Sequence, residues 1–298
     1  METTDPVMAF FHYRPSTSLA VMSLINFDFI AVYLATRIYM SKGPNFLYML
    51  PVIAFIESSG FVYRAAFLGS PSFSKFIIMT IFLMIPSSVL TLVNYTTLGK
   101  IIKRSNVQSN QFFLNPAFVT WFFFIVEVLF FWVQRVIDQG NGLIVVNIIS
   151  LSVHSVLFTC FVFIALYIRQ SPEYVISVKN QPYAKERAIM LIIVTSTLLF
   201  IRSIYTACLY ATGMEGPIGS TEWTFYIFDV SIVGLCFALH CIFFIGDYFP
   251  KKPALGSQYI PVSRFDDLDE DDMIPDQNKH IAVFNNVQSV NYSIGSEI

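Results

Sequence analysis

Residues 46–68 read FLYMLPVIAFIESSGFVYRAAFL, a run long enough to cross the hydrocarbon core of a bilayer as a helix. Glu57 lies near its middle and Arg64 follows seven residues later. An ionised carboxylate at the centre of a spanning helix costs about 2.5–3.5 kcal/mol on insertion scales unless it is paired or wetted. Seven residues are close to two helical turns, so Glu57 and Arg64 share one face. Gly60 lies on that face too and lets a neighbouring backbone approach. The stretch therefore predicts both a membrane helix and a polar surface that must turn away from lipid.

Six further runs resemble it in length and apolarity, giving residues 19–39, 46–68, 76–98, 117–137, 143–168, 188–210 and 223–246. Hydrophobic residues make up 55% of the chain and charged residues 13%, where a soluble domain carries about 25%. Backbone groups have no water to bond in lipid, so each run must be helical. The fold class expected is an all-α polytopic membrane protein, a seven-transmembrane-helix bundle. Residues 1–18 form a short extracellular tail, 19–248 the transmembrane domain and 249–298 an acidic cytosolic tail. Pro86 interrupts the third span and is expected to kink it or open a gap in its hydrogen bonding.

Charge sets the expected orientation. With the N-terminus outside, Arg37, Lys42, Lys100, Lys103, Arg104, Arg169, Lys179, Lys185, Arg187, Lys251 and Lys252 fall on the cytosolic side, against Arg14, Lys75 and Arg135 opposite. That asymmetry follows the positive-inside rule. The first eighteen residues have no basic segment, apolar core and cleavage site in series, so the first span is the expected targeting signal. The tail run Asp266–Asp272 reads first as solvated and disordered, with binding of cytosolic trafficking partners as the lesser reading. The sequons at Asn94 and Asn291 fall toward the cytosol and are read as chance matches. Cys160, Cys208, Cys236 and Cys241 all lie within spans, which argues against an extracellular disulfide framework.

Alternate spans run in opposite directions, which places Arg64, Gln134 and Arg202 in the outward halves of their helices. Glu222 begins the seventh span and Asp229 lies two turns in, while Glu57 and Glu127 sit near the midplane. Glu57 and Arg64, Glu127 and Gln134, and Glu222 and Asp229 are each seven residues apart. Three polar stripes are expected to converge on an outward-opening cavity, because intramembrane ionisable groups mark pathways. The competing reading is that buried pairs only hold helix register. Asp28 departs from these stripes and either snorkels or pairs with Arg37. Asp28, Glu57, Glu127 and Asp229 oppose only Arg64 and Arg202, so the cavity is expected to be net negative and to favour cationic amphiphiles.

Several chemistries are missing. Leu98-Gly99-Lys100 lacks the earlier glycine and the following hydroxyl of a phosphate loop, and neither H-E-x-x-H nor G-x-S-x-G occurs. Only His154 and His240 lie within spans, short of the three protein ligands of a catalytic zinc. No enzyme activity, metal, cofactor or nucleic-acid partner is expected. Phe122-Phe-Phe124 and Phe130-Phe-Trp132 are read as lipid contacts.

Tyr13-Arg-Pro15-Ser16 before the first span resembles the Y-x-P-S of the fungal RTA-type lipid-translocating exporter family. Glu57, Gly60 and Arg64 match its E-x-x-G-Y-x-x-R, with Phe61 at the tyrosine. Pro86, Tyr95 and Gly99 resemble its third helix, with Lys100 in place of an arginine. Glu127 takes an aspartate position seven residues before Gln134. Ile201-Arg202-Ser203 resembles I-R-S, and Gly213 and Gly216 the glycine pair that follows. Glu222, Tyr226, Phe228 and Asp229 match E-x-x-x-Y-x-F-D. The chain is divergent: Thr206 and Leu209 replace an arginine and a glutamate, the glycine pair is split as Gly140 and Gly142, and Phe244-Ile245 replaces His-Pro. The resemblance implies a seven-helix exporter of lipid-like amphiphiles, including sphingoid long-chain bases, that contributes to toxic-amphiphile resistance at the plasma membrane. The substrate pathway expected from the polar stripes runs past Glu57, Arg64, Glu127, Gln134, Arg202 and Asp229, supported by Gly60, Glu222 and Tyr226. A lipid sensor or receptor, or a regulator of lipid asymmetry, is the alternative.

Overall fold

A computed structural model describes residues 7–105, 114–137, 144–174, 183–213 and 216–249. Every regular element among them is helical. A short helix α1, Met8–Phe11, precedes α2, Thr17–Ser41; then follow α3, Met49–Gly69, α4, Phe73–Ser105, α5, Pro116–Ile137, α6, Ile144–Gln170, and α7, Ala184–Thr212. The seventh span is composite: α8, Glu222–Phe225, passes through a π-helical turn, Tyr226–Val230, into α9, Ser231–Ile242. Six spans are long and apolar enough to cross a membrane, and α5 adds a shorter apolar stretch, Pro116–Val126. The chain is thus a multi-pass seven-helix membrane bundle. The acidic tail, including Asp266–Asp272, lies outside the described residues.

The bundle is apolar outside, and its largely apolar core encloses a few polar and charged side chains. Phe29 is 71% exposed and Ile242 70%, while Glu57 and Arg64 are each 2% exposed. Consecutive helices pack side by side from α2 to α7, α9 closes against α2 and α7, and α4 reaches across to α7 and α9. This central position of α4 is what lets residues from three other helices meet on it. Gly99 makes the α4–α5 approach possible: a Cβ there would lie 2.5 Å from Thr120 Oγ1 and 2.9 Å from the Pro116 carbonyl oxygen.

The ends of some elements differ from the apolar runs. The third span is expected to stop at residue 98, yet α4 continues to Ser105. At 1.5 Å per residue, its 33 residues extend about 50 Å, beyond the roughly 30 Å of hydrocarbon. Hydropathy marks where lipid ends, and the backbone ladder simply continues into the basic segment. Lys100 Nζ there lies 3.4 Å from the Phe46 ring centroid, and the Arg104 guanidinium 4.9 Å from that of Phe249. The helix also runs through Pro86 without a break. The seventh span ends at Ile242 rather than 246, and the following 3₁₀ turn, Ile245–Tyr248, carries Asp247. Asp247 pairs with Arg37 at 3.0 Å. Arg37 therefore does not pair with Asp28, because nine residues along one helix put the two out of reach.

Part of the N-terminal segment packs on the bundle. Phe10 and Phe11 pack on Phe67 of α3 and Phe76 of α4, with centroid separations of 5.3–6.1 Å across the cluster. The α4–α5–α6 seam holds Phe123, which is buried against Tyr95 and Phe161 at 5.5 Å from each. Phe123 is therefore not a lipid contact, unlike its exposed neighbour Phe122. The four cysteines are free thiols.

Candidate functional site

Arg64 ends up at the N-terminal end of the bundle because α3 finishes there, where α2, α4 and α8 begin. Its Nη2 donates to Tyr13 Oη at 2.9 Å and to Glu222 Oε1 at 3.2 Å. Both Glu222 oxygens accept from the Ser16 backbone N–H at 2.9 Å, and Ser16 Oγ caps α2 by accepting from the Leu19 N–H at 3.4 Å. One carboxylate thereby ties together the ends of three spans. The guanidinium is flanked by the rings of Phe225 at 4.5 Å and Phe11 at 5.0 Å, a desolvated cation–π setting. Burial pushes the Tyr13 phenol above its ordinary range, against the opposing pull of the Arg64 charge, so Tyr13 serves as a neutral acceptor.

Arg202, in the middle of α7, faces α4 and the π turn. Its Nε donates to Asp229, Nη1 to Ser87 Oγ at 2.8 Å and Nη2 to the Leu83 carbonyl at 3.5 Å. Leu83 and Ser87 straddle Pro86, whose missing N–H and crowding ring weaken the preceding turn of helix. The guanidinium supplies donors to that turn. The π turn adds a residue and so changes which face presents Asp229. Its Tyr226 carbonyl accepts from both the backbone N–H and, at 2.7 Å, the Oγ of Ser231.

Glu57 is buried, as its face predicts, but it does not bond Arg64. Two turns separate them by about 10 Å along the axis, too far for an ion pair. The charges within electrostatic reach of Glu57 are Asp229 and Arg202, and its Oε2 has no hydrogen-bond partner among the described residues. The side chains of Glu127 and Gln134 lie outside the described residues, as do Gly140 and Gly142. Tyr226 is buried, with its ring centroid 5.6 Å from the Arg64 guanidinium.

Gly60 works through α4. A Cβ there would fall 2.8 Å from Leu83 Cδ2, 2.9 Å from Leu83 Cγ and 3.3 Å from its backbone nitrogen. Leu83 is also the residue whose carbonyl receives Arg202. Gly60→Ala is expected to destabilise the fold by about 1–3 kcal/mol through this overpacking, read as a lower unfolding midpoint in detergent.

One polar cluster has no counterpart in the seven-residue spacing. Asn94 Nδ2 donates to Ser196 Oγ at 3.0 Å, and Thr195 Oγ1 donates to Asn94 Oδ1 at 3.1 Å, joining α4 to α7 below Arg202. This bond pattern also gives the Asn94 sequon a structural role. Asn94→Ala is expected to cost about 1–2 kcal/mol, the scale of interhelical hydrogen bonds in membranes, measured by thermal unfolding. One residue on α4 and two adjacent ones on α7 repeat at no period, so only the packing of α4 on α7 identifies the cluster.

The two arginine clusters face one cavity of about 170 Å³. Its walls include Phe10, Phe76, Met79 and Leu209 with Arg64, Arg202 and Asp229. Among its described lining residues two are guanidiniums and one is a carboxylate; Glu127, one of the four acids in the expected net-negative set, lies outside the described side chains. Glu57, Glu222 and Asp28 are not among the described lining residues: Glu57 is buried, and Glu222 is taken up by Ser16 and Arg64. The site is amphipathic: an aromatic and aliphatic pocket with cationic groups held by their own carboxylates. Among the described residues no group of three His, Cys, Asp or Glu is placed to hold a metal ion.

A sequence model of the family described as RTA1 like protein matches residues 52–252. Protein RTA1 of Saccharomyces cerevisiae is 25% identical over 236 residues, covering 75% of this chain and 72% of its own length. Protoporphyrin uptake protein 1 of the same yeast is 23% identical over 283 residues, covering 77% of this chain and 89% of its own. No solved structure matches the chain.

Proposed function

This chain belongs to the RTA1-like protein family, and from that premise we propose that it is a non-enzymatic translocator of lipid-like amphiphiles. The observation that carries this reading is the joining of two buried guanidiniums to one aromatic and aliphatic cavity. Such a cavity offers a polar head group ionic partners while its chain keeps apolar surroundings. An acidic head group exchanges with the carboxylates of Glu222 and Asp229 at the arginines in turn, so neither arginine is left uncompensated, whereas an ammonium head group pairs with the Asp229 carboxylate. Family resemblance supports sphingoid long-chain bases as one cargo class, a role in toxic-amphiphile resistance and residence in the plasma membrane, and loop charge supports an outside N-terminus. The similarity to a protein named for protoporphyrin uptake supports amphiphile movement as the shared activity. Partners in this reading are membrane lipids and the cargo, with the acidic tail available to cytosolic trafficking proteins.

The test is reconstitution of the pure full-length chain in phosphatidylcholine liposomes. Labelled amphiphiles of one chain length, with ammonium, neutral and acidic head groups, are followed across the bilayer. Movement above that in protein-free liposomes is expected. Folded protein that moves none of them overturns translocation and favours a sensor or a regulator of another transporter.

A further inference from the structure

A second cavity, of about 60 Å³, lies between α4, α6 and α7. It meets the larger one at Met84, Arg202 and Thr206, which line both. The two spaces differ in chemistry. The larger is walled mostly by aromatic and aliphatic side chains. The smaller is ringed by hydroxyls, from Ser87, Ser88, Thr91, Ser196 and Ser203. Among its described lining residues there is no carboxylate, Arg202 is the one guanidinium or ammonium, and His154 is the other titratable nitrogen base. Asp229 lines only the larger cavity, so the partner of Arg202 sits on one side of the guanidinium and the hydroxyls on the other.

Donors are available there. A guanidinium has five N–H groups, and Arg202 commits three, to Asp229, Ser87 Oγ and the Leu83 carbonyl. The hydroxyls of Ser88 and Ser203 make no hydrogen bond among the described residues. Ser196 Oγ accepts from Asn94 Nδ2 and retains its own proton to donate. At about 10–15 Å³ per water, 60 Å³ holds about four waters, or one head group the size of a carboxylate or phosphate.

We propose that this smaller cavity is the head-group compartment for an amphiphile whose head is an oxyanion, a carboxylate or a phosphate. Arg202 is the charge partner, Ser88, Ser196 and Ser203 donate hydrogen bonds, and the chain occupies the larger cavity. The proposal deepens the translocator reading and rests on it for the chain. Charge-assisted hydrogen bonds from a guanidinium suit carboxylate and phosphate geometry, whereas an ammonium head would find a like charge and no acid among the described lining residues.

Binding by the full chain in phosphatidylcholine nanodiscs tests this with inorganic phosphate, dodecyl phosphate, dodecanoate and dodecylamine. The two acidic amphiphiles are expected to bind about tenfold or more tighter than the amine. The Ser88→Ala/Ser203→Ala variant is expected to weaken them about tenfold, with its unfolding midpoint and its affinity for the amine unchanged. Competition by inorganic phosphate for dodecyl phosphate identifies a site open to the free anion. Binding only of the chain-bearing probes identifies a lipid head-group site; either result upholds the oxyanion chemistry. Equal or tighter binding of dodecylamine overturns the proposal, and so does an unchanged dodecyl phosphate affinity in the serine variant. Liposome transport without head-group preference removes this compartment and leaves translocation standing. Oxyanion binding without transport does the reverse.

Discussion

Arg202→Met is expected to lower stability by about 3–5 kcal/mol and to abolish amphiphile movement. The substitution keeps much of the side-chain volume and removes every donor. Asp229 then loses its cation, and Ser87 Oγ and the Leu83 carbonyl lose the donor they share across Pro86. Removing one partner of a buried pair strands the other charge, which is the source of the large cost. An Arg202→Met/Asp229→Leu variant removes both charges and is expected to regain most of the stability without regaining transport. Thermal unfolding in detergent and liposome transport read the two effects separately. Recovery of transport in the double variant would show that the pair serves only to hold α7 against the seventh span.

Arg64→Ala is expected to be similarly costly, about 3–5 kcal/mol, with a different signature. Its guanidinium fills the space between the Phe11 and Phe225 rings and holds Tyr13 and Glu222. Truncation leaves a cavity as well as a Glu222 carboxylate bonded only to the Ser16 N–H. The damage falls where the N-terminal segment docks, so proteolytic cleavage within residues 7–16 is expected to rise sharply while the rest of the bundle remains protected. Arg64→Lys is expected to rescue little. A lysine ammonium cannot lie flat between two rings or present the planar fork that bridges Tyr13 and Glu222. Full protection in Arg64→Lys would show that charge alone is sufficient there.

Much of the fold was legible because lipid permits so few solutions. A run such as 46–68 has to be a helix, and its length marks a span without reference to any neighbour. Interior faces were legible for the same reason: Glu57, Arg64, Arg202 and Asp229 have nowhere to point but inward. Helix ends were less legible, as α4 shows, because hydropathy records the boundary of hydrocarbon rather than the end of a hydrogen-bond ladder. The π turn was not legible either. Its backbone differs from an α-helix by one residue per turn, and its sequence, Tyr226–Val230, carries no mark of it.

Pairing was the part that spacing misassigned. Glu57 and Arg64 invite pairing because they share a face, yet the partner of Arg64 is Glu222, 158 residues away. Ser16, Tyr13 and Phe11 join that cluster from a segment that reads as a tail. Counting acids and bases along the chain cannot tell which carboxylates are already engaged and which line the open space.

By itself the sequence determined that this chain crosses a membrane as a seven-helix bundle and that its buried charges face inward. Those conclusions rest on local quantities, run length and helical period. Only the tertiary structure decided that Glu57 and Arg64 belong to different neighbourhoods. Arg64 seals the N-terminal end with Glu222, and Glu57 lies near Arg202 and Asp229. Ion pairs form over about 3 Å, and which side chains come that close depends on how helices cross rather than on the face each residue occupies.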